Sequence, residues 1–245
     1  MSAILLVVLV FGSTFAKTLP PEIIKCRKSD PNLNQCLDKY VMEDVRKLAM
    51  GNRDLGISQL EPLLIPEVTL GQASKDTLQQ VYKNVKIHGI TSATIKNSKV
   101  NFTQGSCYWS YDSLTPVVRM EADYKINGKL LIFTLNGEGK CNNTFWDVEG
   151  ANHFKCERYT KKGKTHLRMT EHVFKFNPKK VIFSYDNIIN GNEQLSQQIM
   201  KTINENSLTV YADFGAAIEQ VMATVWSQNI NEVFARVPEE ELFLP

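Results

Sequence analysis

Five cysteines and four histidines are the residues of this chain best suited to nucleophilic or metal-ligating chemistry, and such chemistry depends on their spacing. Cys156 lies near His153, a combination that elsewhere makes a thiolate–imidazole nucleophile. On one strand, however, residues three apart point to opposite faces. His166 and His172 would share a strand face, yet six residues of strand separate them by roughly 20 Å, too far for one metal ion. A solvated strand face accounts for both. The chain has no Gly-x-Ser-x-Gly nucleophile elbow, no His-Glu-x-x-His and no phosphate loop. Gly137-Glu138-Gly139 is a lone Gly-x-Gly and reads as a turn, not a nucleotide site. No catalytic set, metal site or cofactor is expected.

The cysteines read better as structure. Met1 to Ala16 holds an apolar run, Ile4 to Phe11, followed by small residues before Lys17. This predicts a cleavable secretory signal over 1–16 and a single domain over 17–245, although a positively charged start is missing. In an oxidising compartment Cys26 and Cys36, which close a short loop around Asp30-Pro31-Asn32, should form a disulfide. Cys107, Cys141 and Cys156 remain, and an odd total leaves one thiol free or used between chains. Joining Cys141 to Cys156 fails unless Gly150 folds the intervening strand back, because about a dozen extended residues span up to ~40 Å and a disulfide needs Cα atoms within roughly 7 Å. Cys107 with Cys141 is the less strained alternative. Asn101-Phe102-Thr103 and Asn142-Asn143-Thr144 match the glycosylation acceptor pattern, which places Asn101 and Asn142 at the surface if used.

The elements that carry these residues follow from periodicity. Asp30 as N-cap and Pro31 at the first position open a helix that Gly51 is placed to end. Its apolar stripe includes Leu33, Leu37, Tyr40 and Val41. Pro62 and Pro66 keep Gly56 to Val68 irregular. From there to about Asn190 the period is two. Val81, Val85 and Ile87 alternate with Tyr82, Asn84 and Lys86, and Val118 to Ile126 alternates most cleanly. Asn127-Gly128 predicts a hairpin turn into Lys129 to Leu135, whose apolarity on both faces predicts shielding on both sides. Strands follow at Thr144 to Arg158, Lys164 to Asn177 and Lys179 to Ile188. After Gly191 the helical period returns, first with Leu195, Ile199 and Ile203, then with a long apolar stripe from Phe214 to Trp226. The same helix carries Glu219, Gln220, Gln228 and Asn229, too polar a set for a bilayer span. With 28 basic and 26 acidic residues, the chain has no basic excess that would recognise nucleic acid. Helix, long antiparallel meander, long helix is therefore an α+β architecture. The sheet buries its apolar face against two helices in one elongated body.

These residues resemble a known family, the insect takeout and juvenile-hormone-binding proteins. The matching elements are Cys26-Arg27-Lys28-Ser29-Asp30-Pro31-Asn32 through Cys36-Leu37, then Leu55-Gly56-Ile57…Leu60-Glu61-Pro62-Leu63. Tyr124…Asn127-Gly128-Lys129-Leu130, Gly137-Glu138-Gly139, Asn204-Glu205-Asn206 and Val237-Pro238…Glu241-Leu242-Phe243 follow in order. The resemblance covers essentially the whole chain after the signal. It implies a long helix wrapped by a strongly curved antiparallel sheet, as in tubular lipid-binding proteins, and an internal apolar tunnel for a terpenoid hormone, fatty acid or similar lipid. Dedicated hormone carriers use a cysteine nearer the C-terminus for their second disulfide, and none follows Cys156 here. Ser58 also stands where the family commonly has proline. Both departures favour the takeout-like branch.

A carrier needs apolar walls and one or two polar groups. The candidate walls are Leu37, Tyr40 and Val41 on the first helix, then Phe133, Leu135, Phe174, Phe176 and Phe183 on the sheet. Phe214, Ile218, Val221, Met222 and Val225 join them from the long helix. Tyr40 and Tyr124 could offer a hydroxyl to an ester, epoxide or carboxylate. Each position reads equally as plain core, since apolar residues at this spacing usually are. The expected partner is a small apolar ligand, with no nucleic acid and no stable membrane insertion; a protein receptor is left open. Three rival readings are a signalling protein with a filled interior, a chemosensory carrier and a secreted esterase, the last lacking a nucleophile motif.

Overall fold

In a computed structural model, residues 17–71 and 78–244 are described. The expected signal over 1–16 lies outside them. Helix α1 (Leu33–Lys47) precedes strands β1 (Leu63–Leu70), β2 (Gln79–His88), β3 (Thr94–Phe102) and β4 (Ser106–Leu130). Strands β5 (Phe133–Lys161), β6 (Lys164–Asn177) and β7 (Lys180–Ile182) complete the sheet. Helices α2 (Glu193–Glu205), α3 (Ser207–Arg236) and the short α4 (Glu239–Leu242) close the chain.

The Val118–Ile126 alternation seeds the sheet's spine. Its inward members Val118, Ala122, Tyr124 and Ile126 are all buried. Strands β4 and β5 form one hairpin, paired from Ser106 opposite Glu157 to Leu130 opposite Phe133. The turn is Leu131-Ile132, not Asn127-Gly128, which pair within the ladder with Asn136 and Leu135. Leu131 and Ile132 consequently stand exposed at the tip instead of being shielded on both sides. Gly137 and Gly139 likewise lie inside β5, not in a turn. Without side chains there, the segment 186–188 crosses the strand closely, and a Cβ at Gly137 would run into the Asn187 and Ile188 carbonyls.

The sheet is antiparallel and open, in the order β1-β2-β4-β5-β6, with β3 also on β4 and β7 on β5. Bulges bend its strands. In β2 the register shifts between Lys83 and Lys86, so Gln80 and Tyr82 face inward before the bulge and Val85 and Ile87 after it. The expected single face of Val81, Val85 and Ile87 is thereby broken. In β6 a bulge opposite Lys155 and Cys156 puts Leu167 and Met169 inward, then His172, Phe174 and Phe176. His166 and His172 do not share a solvated face. His166 is buried with its Nδ1 2.8 Å from the Phe234 carbonyl. Pro66 sits within β1, tolerated because that strand is an edge. The last expected strand shortens to Lys180–Ile182, with isolated bridges at Tyr185 and Ile189.

Both long helices seal sheet edges through polar side chains. A free strand edge leaves N–H and C=O groups unpaired. On α1, Asn34 and Asp38 accept from the Val100 and Ser98 amides of β3, each at 3.1 Å. On α3, Asn231 accepts from Met169 N–H at 2.7 Å and donates to the Met169 carbonyl at 3.2 Å, while Glu219 accepts from Phe176 N–H. Helix α1 starts later than expected. Asn32 is its N-cap, and the Asp30 carboxylate instead accepts from the Asn32 amide one residue ahead of the helix. The helix ends at Lys47 with Leu48 as its C-cap, short of Gly51.

Cys26 and Cys36 are disulfide-bonded as expected from their spacing. The second bridge joins Cys107 to Cys156, which face each other across β4 and β5 with Cα atoms 4.9 Å apart. Cys141 is free and buried. The Cys107–Cys141 alternative gives way because β5 runs unbroken through Gly150 and sets Cys141 opposite Ala122.

Candidate functional site

The inward faces of the sheet, α1 and α3 leave a cavity of about 490 Å³ between them. Leu37, Tyr40 and Val41 of α1 line one part of it, together with Trp109 of β4 and Phe243 near the C-terminus. Phe174 and Phe176 of β6, with Phe183 beyond β7, line the sheet side. Phe214, Ile218, Val221 and Met222 of α3 complete the wall. Met222 is buried, and its unbranched thioether adapts to irregular neighbours.

Four expected wall residues do not line the cavity. Leu135 is wholly buried in the surrounding core, where Phe133 and Val225 pack partly buried against it. The hydroxyl of Tyr124 donates to the Asp186 carbonyl, and its ring meets Tyr185 edge-on at 4.8 Å. That hydroxyl is committed to backbone.

The lining is almost entirely apolar, and the described residues contribute no lysine or arginine to it. Besides Asp44, Tyr111, Ser113 and Thr115, two small polar clusters interrupt it. In the first, His172 on β6 places Nε2 3.4 Å from Asn152 Oδ1 and Nδ1 3.3 Å from the Ala223 carbonyl. Burial lowers the His172 pKa, opposed by the Ala223 carbonyl, so the ring stays neutral near pH 7. In the second, Asn143, Tyr185, Tyr82 and Gln80 form a continuous hydrogen-bonded line on the cavity wall. Burial pushes the Tyr82 and Tyr185 phenols far up, so both remain protonated. Sequence reasoning missed this second cluster. Its only signal was a pair of polar residues, Gln80 and Asn143, at positions that strand alternation turns inward, and the β2 bulge hid the first of them.

Among the described residues, no group of histidines, cysteines and carboxylates is placed to hold a metal ion. No described helix is long and apolar enough to cross a membrane. Asn101 and Asn142 are both exposed.

Known proteins place this geometry in a family. Takeout 1 of Epiphyas postvittana, solved as a crystal structure, superposes with a TM-score of 0.78 over 90% of this chain and 99% of its own, at 21% identity. That likeness shows the fold: a long C-terminal helix against a large, curved, open antiparallel sheet. The circadian clock-controlled protein daywake of Drosophila melanogaster is 21% identical over 231 residues, covering 91% of this chain and 88% of the relative. Daywake of Drosophila yakuba is 19% identical over the same coverage. The family model described as haemolymph juvenile hormone binding protein (JHBP) matches residues 4–244. Matched along nearly its whole length, the chain belongs to the haemolymph juvenile hormone binding protein family.

Proposed function

We propose that this protein is a secreted carrier that encloses one small apolar molecule between its sheet and its long helix. The observation that carries the reading is the cavity itself. About 490 Å³ of internal space, walled by aromatic and aliphatic side chains, suits a lipid better than any polar metabolite. The family supports binding over catalysis, and its description as a haemolymph protein supports export, as does the apolar Ile4–Phe11 run. The exposure of Asn101 and Asn142 leaves room for glycans at both.

A lipid burying about 400 Å² of apolar surface would gain roughly 10 kcal/mol at 25 cal/mol per Å². Loss of translational and rotational freedom offsets at least several kcal/mol of that. The balance falls between micromolar and nanomolar affinity, the range in which a carrier can load and release. In this reading Leu37, Tyr40, Val41, Phe174, Phe176, Phe183, Phe214, Ile218, Val221 and Met222 contact the ligand.

Two measurements test it together. Organic extraction of the purified secreted protein followed by mass spectrometry should recover a stoichiometric lipid. Displacement of a fluorescent apolar probe by terpenoids and acyl chains should be saturable. A protein that yields no lipid and releases no probe to any of these compounds is not a carrier.

A further inference from the structure

The β4–β5 hairpin ends in a turn whose side chains suit neither the backbone nor the surrounding water. Leu131 holds φ 53°, the left-handed region in which a bulky side chain is strained and glycine is usual. Ile132 beside it is 89% exposed, the highest value of any large apolar side chain among the described residues, and Leu131 is 43% exposed. Backbone and solvent both argue against Leu-Ile at these two positions, where Gly-Asn would satisfy both. The neighbouring strands stop short of the tip. Gln79, the first residue of β2, pairs with Asn127, and on the other side Asn136 bridges to Ile189. Among the described residues, the segment 128–135 therefore pairs only with itself and projects from the sheet.

The base of the tip belongs to the cavity wall. Leu130, buried and next in chain to Leu131, lines the cavity with Ile126 and Ile188. A surface that received the tip would face this end of the enclosed space. On the hairpin itself charge is nearly balanced. Lys129 flanks the turn and is exposed, while Lys125 pairs with Glu138 at 3.1 Å and Lys140 with Asp123 at 2.9 Å. Two aliphatic side chains supply only a small part of the roughly 800 Å² that each partner buries in a stable protein complex. A second copy or a protein receptor would need a much broader face. A lipid surface needs no matching shape, and aliphatic side chains can enter the boundary between head groups and acyl chains.

We propose that the Leu131-Ile132 tip docks this protein reversibly on a lipid bilayer surface. The docking goes beyond the carrier reading. Its use, passing apolar cargo between cavity and bilayer during contact, rests on that reading. Burying one aliphatic side chain favours association by roughly tenfold or more, and two leave the contact weak enough to reverse. With charge nearly balanced along the hairpin, apolar insertion and not ion pairing supplies the attraction, so added salt should change it little.

The test loads the full secreted chain with an anthroyloxy-labelled fatty acid and mixes it with phosphatidylcholine vesicles that carry a quencher. Transfer in contact predicts a rate that rises with vesicle concentration and stays within about twofold at high salt. In the double variant Leu131→Gly, Ile132→Asn the rate should fall at least roughly fivefold and lose its dependence on vesicle concentration. Equilibrium probe binding and melting temperature should be retained, because Gly-Asn suits the turn. A wild-type rate independent of vesicle concentration, or a double variant that transfers like wild type, overturns the proposal. So does a wild-type dimer that the double variant loses, which would assign the tip to a second copy. Ile132→Trp tests docking without cargo. Its added emission should shift to the blue on phosphatidylcholine vesicles and be quenched by brominated acyl chains, and emission unchanged by vesicles overturns the proposal. The same variant decides if the double variant does not fold. A chain that takes up no probe fails as a carrier, and Ile132→Trp then still decides the tip.

Discussion

The thiol of Cys141 is held back first by burial, which pushes its pKa up to about 12 against a hydrogen bond with the Ala122 backbone. Asp186 and Asp123 nearby raise it further. The thiolate is the reactive form, so a group this protonated and this enclosed does no redox or exchange chemistry. Native protein should therefore resist iodoacetamide at mildly alkaline pH, and should take up one label per chain once unfolded in denaturant without reductant. Rapid labelling of the folded protein would contradict the burial. The same residue shows what single positions reveal. An odd cysteine count predicts a spare thiol but not which one, because pairing depends on strand register. A turn at Asn127-Gly128 would set Cys107 opposite Val148; the true turn sets it opposite Cys156.

Strands and helices were the legible scale, and their errors share a cause. The alternation of Val118 to Ile126, the limits of β6 and the long C-terminal helix follow directly from apolar spacing. The misplaced turn arose where a strong local signal, Asn-Gly, competed with pairing along a whole hairpin, and pairing won. Leu131 and Ile132, apolar and at a tip, gave no warning of this. Bulges were likewise invisible, and each one reverses which residues face inward. That reversal hid Gln80 and Tyr82, whereas the aromatic residues of β6 and α3 that line the cavity stand on apolar stripes, which are read by type alone. Edge sealing is also illegible in sequence, since an asparagine on a helix face normally looks solvated. Asn231 contributes two hydrogen bonds to the Met169 backbone. Replacing it, Asn231→Ala, should cost about 2–3 kcal/mol in chemical denaturation, with faster amide hydrogen exchange at Met169. A change no larger than that of an exposed asparagine would show that water substitutes freely at this edge.

On the scale of the whole molecule, the two ends of the described chain are tied together. Leu244 N–H donates to the Cys26 carbonyl at 2.9 Å, and the Glu239 carboxylate is shared between Arg158 and Lys28. Burial pushes the Glu239 pKa up, but the hydrogen bonds from Arg158 and Lys28 outweigh it and hold the carboxyl below its ordinary 4.5. A lowered folded-state pKa gives stability that is complete above the unfolded value and is lost as pH falls through the folded one. Glu239→Gln should accordingly melt earlier than wild type at neutral pH. The gap should narrow below pH 4.5 and close in stronger acid. A gap independent of pH would mean that shape, not charge, holds this contact.

Internal space has a mechanical consequence as well. Unfolding lets solvent enter volume that the native fold excludes, so the system contracts, and compression favours the smaller state. High hydrostatic pressure should unfold the delipidated protein well before heat at ambient pressure would suggest, and a bound lipid should raise the midpoint pressure by occupying that volume. Tryptophan emission followed in a pressure cell would read it directly through Trp109 and Trp226, both on the cavity wall.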